Sequence, residues 1–355
     1  MSRLKQFLQQ ERENKAFSGA AYIYGSADGI SSQGVVGTLS WEGPEAAFDS
    51  MWDLASVTKP IVALALMKLF DSGECYLDQP ISDFLPAYQG TDKQDLSLLQ
   101  LLTHTSGIPG QQPLYLHADT KEKMLAAIRG LPLRHAPGTF VEYSSQGFII
   151  VGLVIEAIAG KPLDAAMREL VFEPLGLDSM TFNPPPEWRE RIAATEACPW
   201  RGVTVQGQVH DENAVVLGGV GGHAGLFSNL EDLAKIAQMM LRLGDTARGR
   251  YLSTAAVERM TRNVTADLNL ARALGWQAKD EHHSPAGDLF SSRSYGHTGF
   301  TGTSLWMDPE AGLFAALLTN RVHPDRRNDR IKRVRAIAHN LIYMDYTQGE
   351  SADEN

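Results

Sequence analysis

The chain has 355 residues, of which 43% are hydrophobic and 21% charged, with a formal net charge of −10. This is the composition of a globular protein large enough for a sizeable core, as one big or two modest domains. It argues against nucleic acid as a partner, since no basic patch with interleaved aromatics offsets the acidic balance, and no apolar run reaches the ~20 residues of a membrane span.

Residues 2–15 place Leu4, Phe7 and Leu8 on one face of a surface helix. Residues 18–25 and 34–41 are β-like runs joined by Ser26-Ala27-Asp28-Gly29, a turn signal, and read as an antiparallel hairpin. Next comes Ser56-Val57-Thr58-Lys59, followed at once by the apolar run Ile61 to Phe70. That run is rich in Ala, Leu and Met and predicts a buried helix ending near Ser72-Gly73. From there to about residue 215, helical stretches at 94–103, 119–130, 144–159 and 163–170 alternate with loops rich in Pro, Gly and His. The loop 184–202 is long and irregular, a frequent mark of function in compact domains. The Gly-rich stretch 218–225 lacks the Lys and Ser/Thr of a phosphate loop and reads as close backbone packing beside a cleft. A helix resumes at 232–243. Strand-like runs at 293–300, 303–307 and 313–318 follow, with turns at Gly302 and 308–312, and 329–344 is a closing helix. The class expected is α+β: an antiparallel five-stranded sheet flanked by N- and C-terminal helices, with a mostly helical inserted domain. The expected division is 1–74 with 216–347 as the sheet domain, 75–215 as the insertion and 348–355 as a disordered tail.

Ser56 in the first turn of the buried helix would sit where free N–H groups and the helix dipole favour developing negative charge. Lys59, one turn on, lies on the same face within reach of the hydroxyl. Burial should lower the Lys pKa, and a neutral Lys can take the Ser proton so that the alkoxide attacks a carbonyl. A second Ser-x-x-Lys, Ser2 and Lys5, lies in the polar N-terminal segment and carries no such context. Tyr143 precedes the apolar helix 148–159 on a loop, placed to shuttle protons; near a Lys ammonium its pKa falls. Ser145 is an N-cap, a hydroxyl that positions Lys59, or both. His297-Thr298-Gly299-Phe300 lies at the edge of the predicted meander, where Gly296 and Gly299 would leave room for an acyl group alongside the strand. The Phe300 and Ser56 N–H groups would form an oxyanion hole. His210, Asp211 and Glu212 form a polar cluster that lines a loop or the substrate cleft. As neighbours in sequence they point in different directions and make a poor metal set, so no metal is expected. The cysteines, Cys75 and Cys198, have no metal spacing and read as two free thiols, with a single disulfide between them as the alternative.

Ser56-Val57-Thr58-Lys59, Tyr143-Ser144-Ser145 and His297-Thr298-Gly299 resemble, in order and rough spacing, three motifs of the serine β-lactamase and penicillin-binding-protein superfamily, in its class C-like branch with esterases and D-aminopeptidases. Residues 101–107 and 221–228 also look like stretches of this branch, and the resemblance covers about 17–345. It implies a β-lactamase/transpeptidase-like fold, no cofactor, and a serine hydrolase that acylates Ser56, with Lys59 and Tyr143 sharing the acid–base work. Ser145 stands where the family usually has Asn, and His297 where it usually has Lys. Both departures occur in esterase-like and peptidase-like relatives and weaken β-lactamase activity as the main role, because His is only partly charged near pH 7. The expected substrate is a small ester, amide or peptide. The alternatives are acyl transfer to an acceptor other than water, and a catalytically silent binding protein on the same fold. The polar N-terminus has no apolar signal region, so a cytoplasmic location is expected, or a periplasmic one if a leader is removed.

Overall fold

The computed structural model describes residues 2–353, with side chains through Gln348. The hairpin expected near the N-terminus is β1 (Gly19–Ser26) and β2 (Ile30–Gly37), and its turn falls at residues 27–29, where the turn signal lies. The second strand starts earlier than its pattern suggested, because Gly34 sits opposite Tyr22 and leaves space that the Tyr22 ring fills.

At the other end of the chain, β3 (Gln277–Ala278), β4 (Tyr295–Thr298), β5 (Ser304–Asp308) and β6 (Leu313–Thr319) form a meander. The sheet runs β3-β4-β5-β6-β1-β2, antiparallel throughout. It therefore has six strands among the described residues, against the five expected. The sixth, β3, is two residues long and too short to show an alternating pattern.

Alternation sorts the strand residues into two layers. Ala20, Tyr22, Ala315 and Leu317 pack with Leu4, Leu8, Val334 and Ala338 of the two terminal helices, α1 (Arg3–Glu13) and α5 (Ile331–Asp353). Ala21, Ile23, Phe314 and Ala316 face the opposite side, where α2 (Thr58–Asp71) and α4 (Leu230–Leu241) contribute to the main core. With both faces covered, β6 reads as one unbroken apolar run. The second Ser-x-x-Lys resolves as a helix start, the Ser2 Oγ accepting from the Lys5 N–H. Helix α5 continues through Asp353, across positions where a tail was expected from 348; residues 354 and 355 lie outside the described residues.

Two further features position the site. A short sheet pairs Trp52↔Ser228 and Asp53↔Phe227, tying the segment before Ser56 to the end of the Gly-rich stretch. That stretch packs closely, as its sequence suggests. A Cβ on Gly222 would lie 2.0 Å from the Phe148 carbonyl oxygen on α3 (Ser145–Ala159). Cys75 and Cys198 are both buried free thiols.

Candidate active site

Ser56 lies in a 3₁₀ turn, Ala55–Val57, that runs directly into α2. The residue before it is in the left-handed region, Ala55 at φ 46°, which for a non-glycine residue is uphill by about 1–2 kcal/mol. Asp53 holds it there. Its buried carboxylate accepts the Ala55 N–H at 2.8 Å and the His210 N–H at 2.6 Å, and its carbonyl oxygen accepts from the Thr301 hydroxyl at 2.7 Å. One residue thus joins the turn bearing Ser56, the loop of His210 and the turn after β4. Burial raises the Asp53 pKa, against the lowering effect of the His210 contact.

Lys59 is 0% exposed, and its Nζ donates to Ser56 Oγ at 3.0 Å and to the His223 carbonyl at 2.9 Å. The same Nζ stands 4.9 Å from the centre of the Tyr143 ring, within cation–π range. Tyr143 in turn lies 6.0 Å from His297 and 4.6 Å from His104, ring centre to ring centre. The structure therefore brings together Ser56, Lys59, Tyr143 and His297, which lie on four separate stretches of sequence.

Several expectations need correcting. Ser144, not Ser145, caps α3: its Oγ accepts the Gly147 N–H. Ser145 is the first helical residue and lines the cleft, while Lys59 is anchored by the His223 carbonyl instead of by the Ser145 hydroxyl. The space where side chains would stand at Gly296 in β4 and at Gly299 just after it is filled by protein atoms. A Cβ on Gly296 would meet the Trp306 ring at 2.3 Å, and one on Gly299 would meet Thr303 Oγ1 at 2.0 Å. His297 is not a partial cation. Burial first, and Lys59 second, push its pKa down to about 3, so it is neutral at pH 7. Its Nδ1–H donates to the Thr298 carbonyl at 2.8 Å, which leaves Nε2 as an acceptor only.

Two cavities meet at Ser56 and Phe300, which line both. The larger, about 350 Å³, also takes in Tyr143, His297, Thr298 and Gly299, with Arg272, Arg321 and Arg335 around it. Among the described residues none of these three arginines pairs with a carboxylate; Arg321 and Arg335 donate to backbone carbonyls, including that of Phe300 and that of Gly299. Arg335 is 8% exposed and its Nε has no partner, and burial lowers its pKa to about 9. The smaller cavity, about 220 Å³, is lined by His210, Asp211, Glu212, Tyr115 and Ser145 among others. Behind it the His210 Nε2 meets Glu196 at 3.0 Å, and Arg326 pairs with both Glu196 and Glu212. Glu196, Cys198 and Glu212 also bring their ligand atoms within 4.8 Å of one another, but both carboxylates are already engaged by the Arg326 guanidinium.

Sequence reasoning did not mark Asp53, His104, His223 or the three arginines. His104 had the clearest signal, standing inside the stretch 101–107. It backs the Tyr143 ring and its Nδ1 accepts the Ser144 N–H at 3.1 Å. The arginines lie on segments with no motif.

An antiparallel sheet with terminal helices on one face, and a Ser-x-x-Lys helix start facing a Tyr loop and a His-Thr-Gly strand, define the β-lactamase/transpeptidase-like class of fold. The chain belongs to the Beta-lactamase family, whose model matches residues 4–339. A putative D-alanyl-D-alanine carboxypeptidase of Escherichia coli (strain K12) is 33% identical over 319 residues, covering 81% of this chain and 73% of that protein. Among solved structures, EstCE1, described as a hydrolase with promiscuous acyltransferase activity, superposes with TM-score 0.77 at 20% identity, covering 95% of this chain and 97% of its own. A class C β-lactamase from Rhodobacter sphaeroides gives 0.74 at 19% identity, covering 96% and 98%.

Proposed function

We propose that the protein is a serine hydrolase that works through an acyl-enzyme on Ser56, and that its substrates are amides or esters with an anionic group on the leaving side. Family membership supports a hydrolase. The observation that carries the serine mechanism is the convergence on one hydroxyl: Lys59 Nζ at 3.0 Å from Ser56 Oγ, with Tyr143 packed against that amine. In this reading Ser56 Oγ bonds to the substrate carbonyl carbon as its proton passes to Lys59. Tyr143 relays the proton to the departing nitrogen or oxygen as the carbon–heteroatom bond breaks, and water then releases the acyl group. The Phe300 and Ser56 N–H groups would hold the carbonyl oxygen. Supporting roles go to Thr298, which lines the cavity, and to neutral His297, which accepts through Nε2 without adding charge.

Three buried arginines and Lys332, set against the single carboxylate of Asp329, give the larger cavity a net positive lining that favours an anionic leaving portion. The relative named as a carboxypeptidase supports the same reading, because a peptide's last residue ends in a carboxylate. The test is a hydrolase panel of a nitrophenyl ester, nitrocefin and a peptide ending in D-Ala-D-Ala, with wild type and Ser56→Ala. Turnover by wild type that disappears in the variant upholds the proposal, and best turnover on the carboxylate-ended peptide upholds the substrate class. Equal turnover by folded Ser56→Ala would remove the serine from the mechanism.

A further inference from the structure

The two cavities that meet at Ser56 carry opposite charge. Arg272, Arg321 and Arg335 surround the larger one. Asp211 and Glu212 line the smaller one with Arg326, which pairs with Glu212 and with Glu196 behind the wall. Asp211 takes no guanidinium, and its side-chain partner is His223. Its Oδ1 accepts from His223 Nε2 at 2.9 Å and from the Ala214 N–H at 2.9 Å, while Oδ2 has no hydrogen-bond partner among the described residues. The side chain is 34% exposed and lies on the cavity lining beside Ser56.

We propose that the smaller cavity receives an acyl group bearing a protonated amine, and that Asp211 selects it. The proposal rests on the acyl-enzyme reading. The direction follows from proton delivery: Tyr143 lines the larger cavity and not the smaller, so the group that must be protonated as it leaves lies on the arginine side. The acyl portion therefore lies on the Asp211 side. The walls there suit a cation as well. Tyr115 and Phe300 present aromatic surface, with Trp200 set edge-on against Tyr115 at 5.1 Å, and an ammonium between a carboxylate and aromatic faces gains from both. The Phe300 ring divides the two regions: His210 stacks on it at 5.7 Å and the Arg321 guanidinium lies over it at 4.2 Å. Burial alone would raise the Asp211 pKa, but the charge and hydrogen bond of His223 outweigh it and hold the carboxyl ionised well below the usual range.

Two fluorophosphonate probes of equal length test this, one ending in a primary amine and one in its acetylated form, reacting with Ser56 of the full chain. Wild type should label roughly 10- to 100-fold faster with the amine probe, the range expected for a charge-assisted hydrogen bond. In Asp211→Asn the helix start and the His223 contact are kept, and the ratio of the two rates should fall to near unity whatever the absolute rates. A wild-type ratio of one or below overturns the ammonium site. So does a ratio that survives in Asp211→Asn, or one that falls no further than in a Glu212→Gln control. Failure of both probes to label folded wild type would instead overturn the serine mechanism and this inference with it.

Discussion

Acidification should weaken the native fold through His297. Burial and Lys59 hold its pKa down to about 3, whereas the unfolded chain titrates near the ordinary value of 6.5. Because the folded value is the lower one, the unfolded state takes up the proton first as pH falls. Stability at this site is complete above about pH 6.5 and is lost progressively toward about pH 3. Each pH unit below the unfolded value is worth about 1.4 kcal/mol, so the loss at about pH 5 is roughly 2 kcal/mol. His339, held at about 4 by burial, and His104, held well below its ordinary value by burial and Arg272, act with the same sign. Urea unfolding at about pH 8 and about pH 5, for wild type and His297→Gln, isolates the term: the variant should lose roughly 2 kcal/mol less than wild type. An NMR titration should find the native His297 ring neutral throughout that interval. A native ring that protonates near pH 6.5, or a variant with the full wild-type acid loss, would refute the reasoning.

Lys59→Ala should lower turnover roughly 100-fold or more, the usual effect of removing a general base, with circular dichroism checking that the fold survives; near-normal turnover would take Lys59 out of the chemistry. Tyr143→Phe keeps the ring against His104 and should lower turnover while leaving Tm within a few degrees, whereas an unchanged rate would reduce Tyr143 to packing. Gly222→Ala puts a methyl 2.0 Å from the Phe148 carbonyl oxygen. It should destabilise the protein by about 1–3 kcal/mol, read as a lower Tm in a thermal melt, and an unchanged Tm would mean that α3 gives way freely.

The parts of the fold legible in the sequence were those whose signal is local. The Ala-, Leu- and Met-rich run after Lys59 and the apolar stretch of β6 announce elements buried on every side. The turn at 27–29 announces the hairpin. The edge strand β3 was not legible because two residues cannot show a period. The candidate site was legible where short motifs bring their own context, as at Ser56 and Lys59. It was not legible where a role comes from tertiary placement. Asp53 matters because its carboxylate reaches an amide 157 positions away, at His210. Arg272, Arg321 and Arg335 become one cationic wall only when the segment before β3, the turn after β6 and α5 are assembled. His297 shows the same limit in its charge. A histidine read alone is partly charged near neutrality, and only its burial beside Lys59 makes it neutral.

The most direct measurement is an acid-quenched reaction of the protein with nitrophenyl acetate, followed by peptide mapping of the adduct by mass spectrometry. One acetyl group on the peptide containing Ser56, formed more slowly in Lys59→Ala and absent in Ser56→Ala, is the result expected. Turnover without an adduct on Ser56, or an adduct that forms at the same rate without Lys59, would contradict the account.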